Sequence, residues 1–457
     1  MLPAEVTCDR EGACARRRGT RWVVGAILAI AFLLRVGGAV YWQQQADREG
    51  RLFRWGDSHS YWVLAGQVAR GEPYQYGSPH AQIFRAPLYP IFLAPFTLIS
   101  DQRAGVIAAR LAGAVVGSLM LLILMELARR VHRARGPVIP VVVGGMGAVY
   151  PAAIGMSVMV LSEALFMPWM LLYLLGWLRS WQALTPRSRY RWALLTGVFW
   201  GLGVLTRPSW LLFPVMHGAV GLLGGPSRRR QLALFAVICS TFSITMMPWW
   251  VRNYRVAGRF VPTTLQVGPS LYDGLHPGAT GASDEGMEFM RRLYAAEVGR
   301  QENVGDKARD TLEYRLNRRA MHEALRWARQ NPREVLRLAI LKFRRTWAWW
   351  PEGGEIGAAP VGLVLSVASF AVLLLAIIES LLAVRQWHWG YTLCWLPCIY
   401  FTALHMVFVG SVRYREPAVV VLMVLAGGCV ARGYRWVIDW MQGSSIADSP
   451  SRRETEV

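Results

Sequence analysis

WVVGAILAIAFLLRVGGAVYW, residues 22–42, decides the fold class. A hydrocarbon core of about 30 Å needs about 20 residues of helix at 1.5 Å each, and this run is long enough to cross it. Residues 1–21 before it are polar and basic. The run is long for a signal-peptide core and lacks a clear small-residue cleavage site, so an uncleaved signal anchor is expected. Comparable apolar runs, nearly free of charge, recur at 105–128, 138–156, 160–178, 192–206, 208–224, 232–250, 360–384, 390–409 and 417–437. The expected fold is therefore an all-α polytopic membrane protein with about ten spans, since a helix satisfies its own backbone in lipid.

Composition agrees. Of 457 residues, 54% are hydrophobic, and the mean hydropathy is +0.27. The net charge of +21 would suggest nucleic acid in a soluble chain. Here the clusters Arg16-Arg17-Arg18, Arg129-Arg130 and Arg228-Arg229-Arg230 flank apolar runs, so they read as topology signals beside anionic lipid, and no nucleic-acid partner is expected. Trp42, Trp177, Trp181, Trp249 and Trp250 stand near run ends, as in an interfacial aromatic belt. Cys8 and Cys14 precede the first run, and Cys239, Cys394, Cys398 and Cys429 lie within apolar runs, so no disulfide framework is inferred. The i,i+4 pair Cys394 and Cys398 reads as packing rather than metal ligation.

Positive charge orients the chain. With the N-terminal arginines inside, residues 43–104 and 251–359 form two large outer loops, and the connections 129–137, 179–191, 225–231 and 385–389 are cytoplasmic. Leu88 to Ile99 is apolar but short and is expected to be re-entrant or interfacial, because a crossing there would export the cluster Arg129 to Arg135. Pro332 to Pro351 alternates apolar and basic residues like a helix lying in the interface. The expected organisation is a cytoplasmic N-terminus 1–21, an N-terminal transmembrane catalytic module 22–250 with outer loop 43–104, an outer loop 251–359 with interfacial helices, C-terminal helices 360–437, and a cytoplasmic tail 438–457. The tail is Ser-, Arg- and Glu-rich from about Gly443 and is expected to be disordered.

No P-loop, dinucleotide fingerprint, HExxH motif or internal repeat is present. Polar residues instead collect at the outer ends of the runs. Asp57 precedes a helical stretch that contains Tyr61, and can be either a helix cap or a carboxylate that takes a proton from a hydroxyl. Arg85, Glu163, Arg207, Arg252, His405, Arg413 and Arg415 fall on the same side. One such arginine is explained by snorkelling, but several with carboxylates point to an anionic substrate. A lipid-linked phosphosugar fits that position. Its transition state needs positive charge on the departing phosphate and a base on the attacking hydroxyl. Arginines supply the first, being permanently charged and bidentate toward phosphate.

The ordered pieces Gly56-Asp57-Ser58 with Tyr61, Arg85-Ala86-Pro87-Leu88-Tyr89-Pro90, Leu161-Ser162-Glu163, Leu205-Thr206-Arg207-Pro208, Pro248-Trp249-Trp250-Val251-Arg252-Asn253-Tyr254 and Arg413-Tyr414-Arg415 resemble glycosyltransferase family 39 of the GT-C class. That family includes protein O-mannosyltransferases and lipid A aminoarabinose transferases. The resemblance implies a GT-C-like helix bundle and inverting transfer from a polyprenyl-phosphate sugar at the non-cytoplasmic face of the inner membrane. It implies Asp57 as the acceptor base, and places Arg85 where aminoarabinose transferases carry a Lys near the lipid phosphate. Relatives often have a second carboxylate beside Asp57 or just before the basic-Pro motif; here those positions are Ser58 and Phe84, leaving Glu72 and Glu163.

The leading expectation is thus a membrane glycosyltransferase acting on a hydroxyl of an unnamed acceptor. Asp57 is the expected catalytic residue. Arg85, Arg207, Arg252, Arg413 and Arg415 are expected to bind the donor phosphate, and Tyr61, Glu163 and His405 to bind acceptor or sugar. His59, His80 and His276 are too scattered to argue a metal site. The alternatives are a transporter or flippase of lipid-linked sugars, and a structural or assembly protein in which Asp57 is only a cap.

Overall fold

A computed structural model of the chain describes residues 5–224, 227–284, 286–304, 310–349 and 359–447. Regular structure among them is helical. The first apolar run lies in α1 (Glu5–Arg48). The first long loop holds α2 (Gly56–Arg70) and α3 (Leu88–Leu93). Then come α4 (Gln102–Val131), α5 (Val138–Val149), α6 (Pro151–Val158), α7 (Glu163–Gln182), α8 (Pro186–Thr206), α9 (Phe213–Gly224) and α10 (Arg228–Ala257). The second long loop holds α11 (Val267–Gly274), α12 (Arg291–Val304), α13 (Leu312–Gln330) and α14 (Pro332–Thr346). The chain closes with α15 (Ala359–Leu382), α16 (Trp389–Val407) and α17 (Glu416–Ala447).

The molecule is an integral, multi-pass membrane protein. Five described helices are long and apolar enough to cross a membrane, or six counting the bent pair α5 and α6. Helices also occupy the remaining stretches read as spans, 160–178, 192–206, 208–224 and 390–409. Leu88–Leu98 is a short apolar helix, below spanning length. Residues 350–351, at the end of the expected interfacial helix, and 448–457 of the tail lie outside the described residues.

The core centres on α17. Ala418 to Ala426 are nine consecutive buried residues, each no more than 1% exposed, so this helix is apolar all round because protein surrounds it. Around it, small residues allow close approach. On α4, the Gly113-x-x-x-Gly117 pair lies against Ser157: a Cβ would fall 2.0 Å from the Ser157 carbonyl oxygen at Gly113 and 2.1 Å from its Oγ at Gly117.

The stretch 138–156, expected as one span, is instead broken. Tyr150 is extended, Pro151 starts the next helix without an N–H to bond backward, and the two halves meet at 59°. Each half exposes C-terminal carbonyls, and buried arginines meet them. Arg35 donates to the Gly147 and Ala148 carbonyls at 3.4 and 3.5 Å, and Arg110 to the Val158 carbonyl at 2.7 Å. These cations sit where the helix dipole is negative. The chain leaves α6 through Val160 at φ 59°, a left-handed conformation costly for a β-branched residue, and enters α7 at Glu163. That turn packs against the first long loop, whose Tyr61, Trp62, Tyr89 and Leu93 meet Val106, Ala109, Val160 and Ala164.

Candidate active site

Asp57 lies in the first turn of α2, but the cap position belongs to Trp55, so Asp57 is not serving as the cap. Its carboxylate faces two arginines. Arg85 Nη2 donates to Oδ1 at 2.5 Å and Arg413 Nη1 to Oδ2 at 3.1 Å. The Asp57 side chain keeps about a third of its surface exposed (34%). Burial alone would raise its pKa; Arg85 and Arg413 outweigh that and hold the carboxyl well below the usual carboxylate range.

Arg413 continues the chain of charges. It projects from the turn Val412–Tyr414 and grips Glu163 with two bonds, Nε to Oε1 at 2.5 Å and Nη2 to Oε2 at 3.1 Å. Arg207, where α8 ends in an extended residue, pairs with Glu163 Oε1 at 2.6 Å. The order is Arg85, Asp57, Arg413, Glu163, Arg207: three cations and two anions, leaving one net positive charge. Glu163 is fully buried behind its arginines, whereas Asp57 is open. A buried carboxylate with two arginines is an anchor that fixes the cations.

Aromatic faces and hydroxyls set the remaining geometry. The Arg85 guanidinium lies 5.1 Å from the Tyr61 ring centroid and donates to Ser60 Oγ at 3.2 Å and Gln266 Oε1 at 3.1 Å. Arg207 lies 5.5 Å from the Tyr414 ring centroid. His405 stacks on that ring with centroids 4.0 Å apart. Its Nδ1 lies 2.9 Å from the Val409 carbonyl oxygen, which can only accept, so Nδ1 carries a proton.

Asp57, Tyr61, Arg85, Arg207, His405, Arg413 and Arg415 border one cavity of about 1140 Å³. Its walls continue along Gly37, Gly38 and Tyr41 of α1 and Ile154 and Met159 beside the broken helix, an apolar flank next to a charged head. Its lining also includes Thr263, Thr264, Asp273 and Asp284 of the second long loop. Among the described residues no group of three or more His, Cys, Asp or Glu is placed to hold a metal ion.

Two expected residues stand apart from the charge chain. Arg252 packs over Trp249 and Tyr74, with centroids at 4.9 and 5.3 Å, and donates to the Tyr74 carbonyl at 3.5 Å. Arg415 is 2% exposed and donates to Glu416 Oε1 at 3.2 Å and the Ala348 carbonyl at 2.8 Å, although part of it reaches the cavity wall. Sequence reading missed Ser60, Gln266 and Tyr414. Tyr414 sits inside a quoted motif and was detectable as an aromatic between two arginines. Gln266 carries no local signal, because only the meeting of the two long loops brings it to Arg85.

No family model matches the chain, and no curated protein matches it. Solved structures do. Archaeal oligosaccharyltransferase AglB from Archaeoglobus fulgidus, in complex with an inhibitory peptide and a dolichol-phosphate, aligns with a TM-score of 0.56 and 12% identity over 96% of this chain and 53% of that one. The two share a helical fold over about half of that solved chain. The apo form of the Archaeoglobus fulgidus oligosaccharyltransferase aligns with a TM-score of 0.55 and 13% identity over 95% of this chain and 53% of that one. ArnT from Cupriavidus metallidurans bound to undecaprenyl phosphate aligns at 16% identity over 90% of this chain and 78% of that one, with a TM-score of 0.40. At these identities the likeness is one of fold. The chain spans about half the length of the oligosaccharyltransferase chains it matches.

Proposed function

We propose that this protein is a membrane glycosyltransferase that moves a sugar from a polyprenyl-phosphate-linked donor to a hydroxyl acceptor, with inversion, at the non-cytoplasmic face of the inner membrane. The observation that carries this reading is the Asp57 carboxylate and three arginines gathered on one cavity with an apolar flank. The cavity suits a ligand with a charged head and a hydrocarbon tail. Arg85, Arg207 and Arg413 receive the phosphate, and the net positive charge of the cluster favours an anion. Arg415, engaged with Glu416, serves the cavity wall, and Arg252 packs on Tyr74 and Trp249 outside it. Tyr61 and His405 border the space left for sugar and acceptor.

The chemistry follows from charge flow. The acceptor oxygen attacks the anomeric carbon opposite the phosphate, the carbon–oxygen bond to phosphate breaks with its electron pair going to phosphate, and the acceptor proton passes to Asp57. Clamped by two arginines, Asp57 is a weak base. A donor phosphate on the same arginines competes for their charge and raises the basicity of Asp57, so the base gains strength when the donor is present. Glu163 keeps Arg207 and Arg413 in place throughout.

The test is release of polyprenyl phosphate from a panel of polyprenyl-phosphate sugars by protein in nanodiscs, with hydroxyl acceptors added. Asp57→Asn is expected to lower kcat by about 10²–10⁴-fold while donor binding is kept. Full activity in correctly inserted Asp57→Asn protein sinks Asp57 as the base.

One feature favours a second reading, transport of a lipid-linked sugar: the broken pair α5 and α6, since discontinuous helices recur in transporters. Here side chains of α1 and α4 satisfy the broken ends. Reconstituted vesicles that flip the lipid without sugar transfer would establish that reading in place of the first.

A further inference from the structure

Arg85 sits on a segment, residues 81–87, that is neither helix nor strand. Such a backbone needs outside partners for its polar groups. The N–H groups of Gln82 and Ile83 both donate to the carboxylate of Glu313, at 2.9 and 3.0 Å to Oε2, and Ile83 N–H also lies 3.2 Å from Oε1. The Ile83 carbonyl accepts from Leu265 N–H at 3.0 Å, and the Ile83 side chain is fully buried. Tyr74 donates to the Arg85 carbonyl at 3.2 Å. Glu313 is in the first turn of α13, where the helix dipole favours an anion, and it belongs to the second long loop, 230 residues further along the chain.

We propose that Glu313 is a positioning residue for Arg85: by stapling the backbone two and three residues before it, Glu313 holds the Arg85 guanidinium on Asp57 and sets its place in the donor-phosphate site. The second half of that statement rests on the proposed function; the staple itself does not.

Titration gives the staple a signature. Burial pushes the Glu313 carboxyl up to about 7, against the two N–H bonds and Arg252 of α10, which favour the charged form. Arg291 and Tyr294 of α12 face it across a small apolar pocket that Phe84 and Leu316 also line. The first-loop segment meets it with backbone N–H groups. A carboxyl with a higher pKa when stapled than when free binds its proton more tightly in the stapled state. Raising the pH from the free value of about 4.3 to about 7 therefore weakens the staple, which levels off above that. Asp273, pushed up to about 6 by burial, titrates in the same window, whereas Asp57 stays ionised across it.

The experiment measures hydrogen-exchange protection factors of the Gln82–Arg85 amides at pH 5.5 and 7.5, and binding of a polyprenyl monophosphate, in the full chain in nanodiscs. Wild-type protection should fall across this interval, by at most about tenfold per pH unit. Glu313→Gln, neutral but still an acceptor, should hold the low-pH protection at both values. Glu313→Ala should lose about tenfold or more at both, and should bind the phosphate lipid as weakly as Arg85→Ala. Unchanged protection in Glu313→Ala overturns the staple. If that variant does not fold, a wild-type pH response that persists in Glu313→Gln overturns it instead. Arg85→Ala that binds the lipid like wild type removes Arg85 from the phosphate site, and the exchange data still judge the staple.

Discussion

Two of the carboxylate–arginine clusters among the described residues differ in what they face. At the start of α17 the chain Arg85–Asp57–Arg413–Glu163–Arg207 borders a cavity of about 1140 Å³. Sixteen residues further along α17, about 24 Å of helix, Arg432 joins Arg135 and the Tyr391 hydroxyl on Glu379. Glu379 is fully buried, and none of its partners lines that cavity. The ingredients are alike, but the first cluster leaves one carboxylate a third exposed and the second leaves none. Ion pairing by itself therefore does not mark a site. What sets the first cluster apart is a carboxylate held ionised while still facing the cavity.

The contrast can be broken from either side. Of the variants that probe this contrast, Arg413→Ala has the largest expected effect, because it takes a partner from both carboxylates at once. Removing one partner of a buried pair costs about 3–5 kcal/mol. Loss of a cation from a developing phosphate costs about 10²–10³ in kcat. Thermal unfolding and donor turnover check the two parts separately. Glu379→Gln should match only the first part, losing about 3–5 kcal/mol of stability while the folded fraction keeps its kcat. A large fall in kcat there would erase the distinction between the clusters. Ser58→Ala is the gentle probe. It removes the bond from Ser58 Oγ to the Met159 carbonyl, 3.2 Å, that ties the Asp57 turn to the broken helix. About 1 kcal/mol of stability and a small change in turnover are expected. Since Asp57 is depressed, its contribution to stability is present above its ordinary value near 3.9 and is lost only as pH falls through the lower folded value. The Asp57 cluster should therefore remain intact from pH 5 to 8.

Much of this site was legible in the chain. Asp57, Arg85, Glu163, Arg207 and Arg413 stood in ordered motifs at run ends, and the fold brings all five into one chain of charges. Arg415 shows the limit. It is two residues from Arg413, yet the short turn Val412–Tyr414 sends one arginine to Glu163 and the other to Glu416. Sequence spacing places both at one face but does not say which way each points. Glu163 shows another limit: a carboxylate beside a cavity and a carboxylate behind it look the same until burial is known.

Hydropathy and charge, read along the chain, suffice for a helical membrane protein whose candidate site residues collect at one end of its spans. Those are local properties: a run of apolar side chains dictates a lipid-buried helix wherever it occurs. The meeting of Gln266 with Arg85 and of Glu313 with the segment before it, and the division of labour between open Asp57 and buried Glu163, are decided only in three dimensions. Each depends on contacts between residues tens to hundreds of positions apart. No local pattern records such contacts, because the energy of burial and pairing belongs to the assembled neighbours rather than to either residue alone.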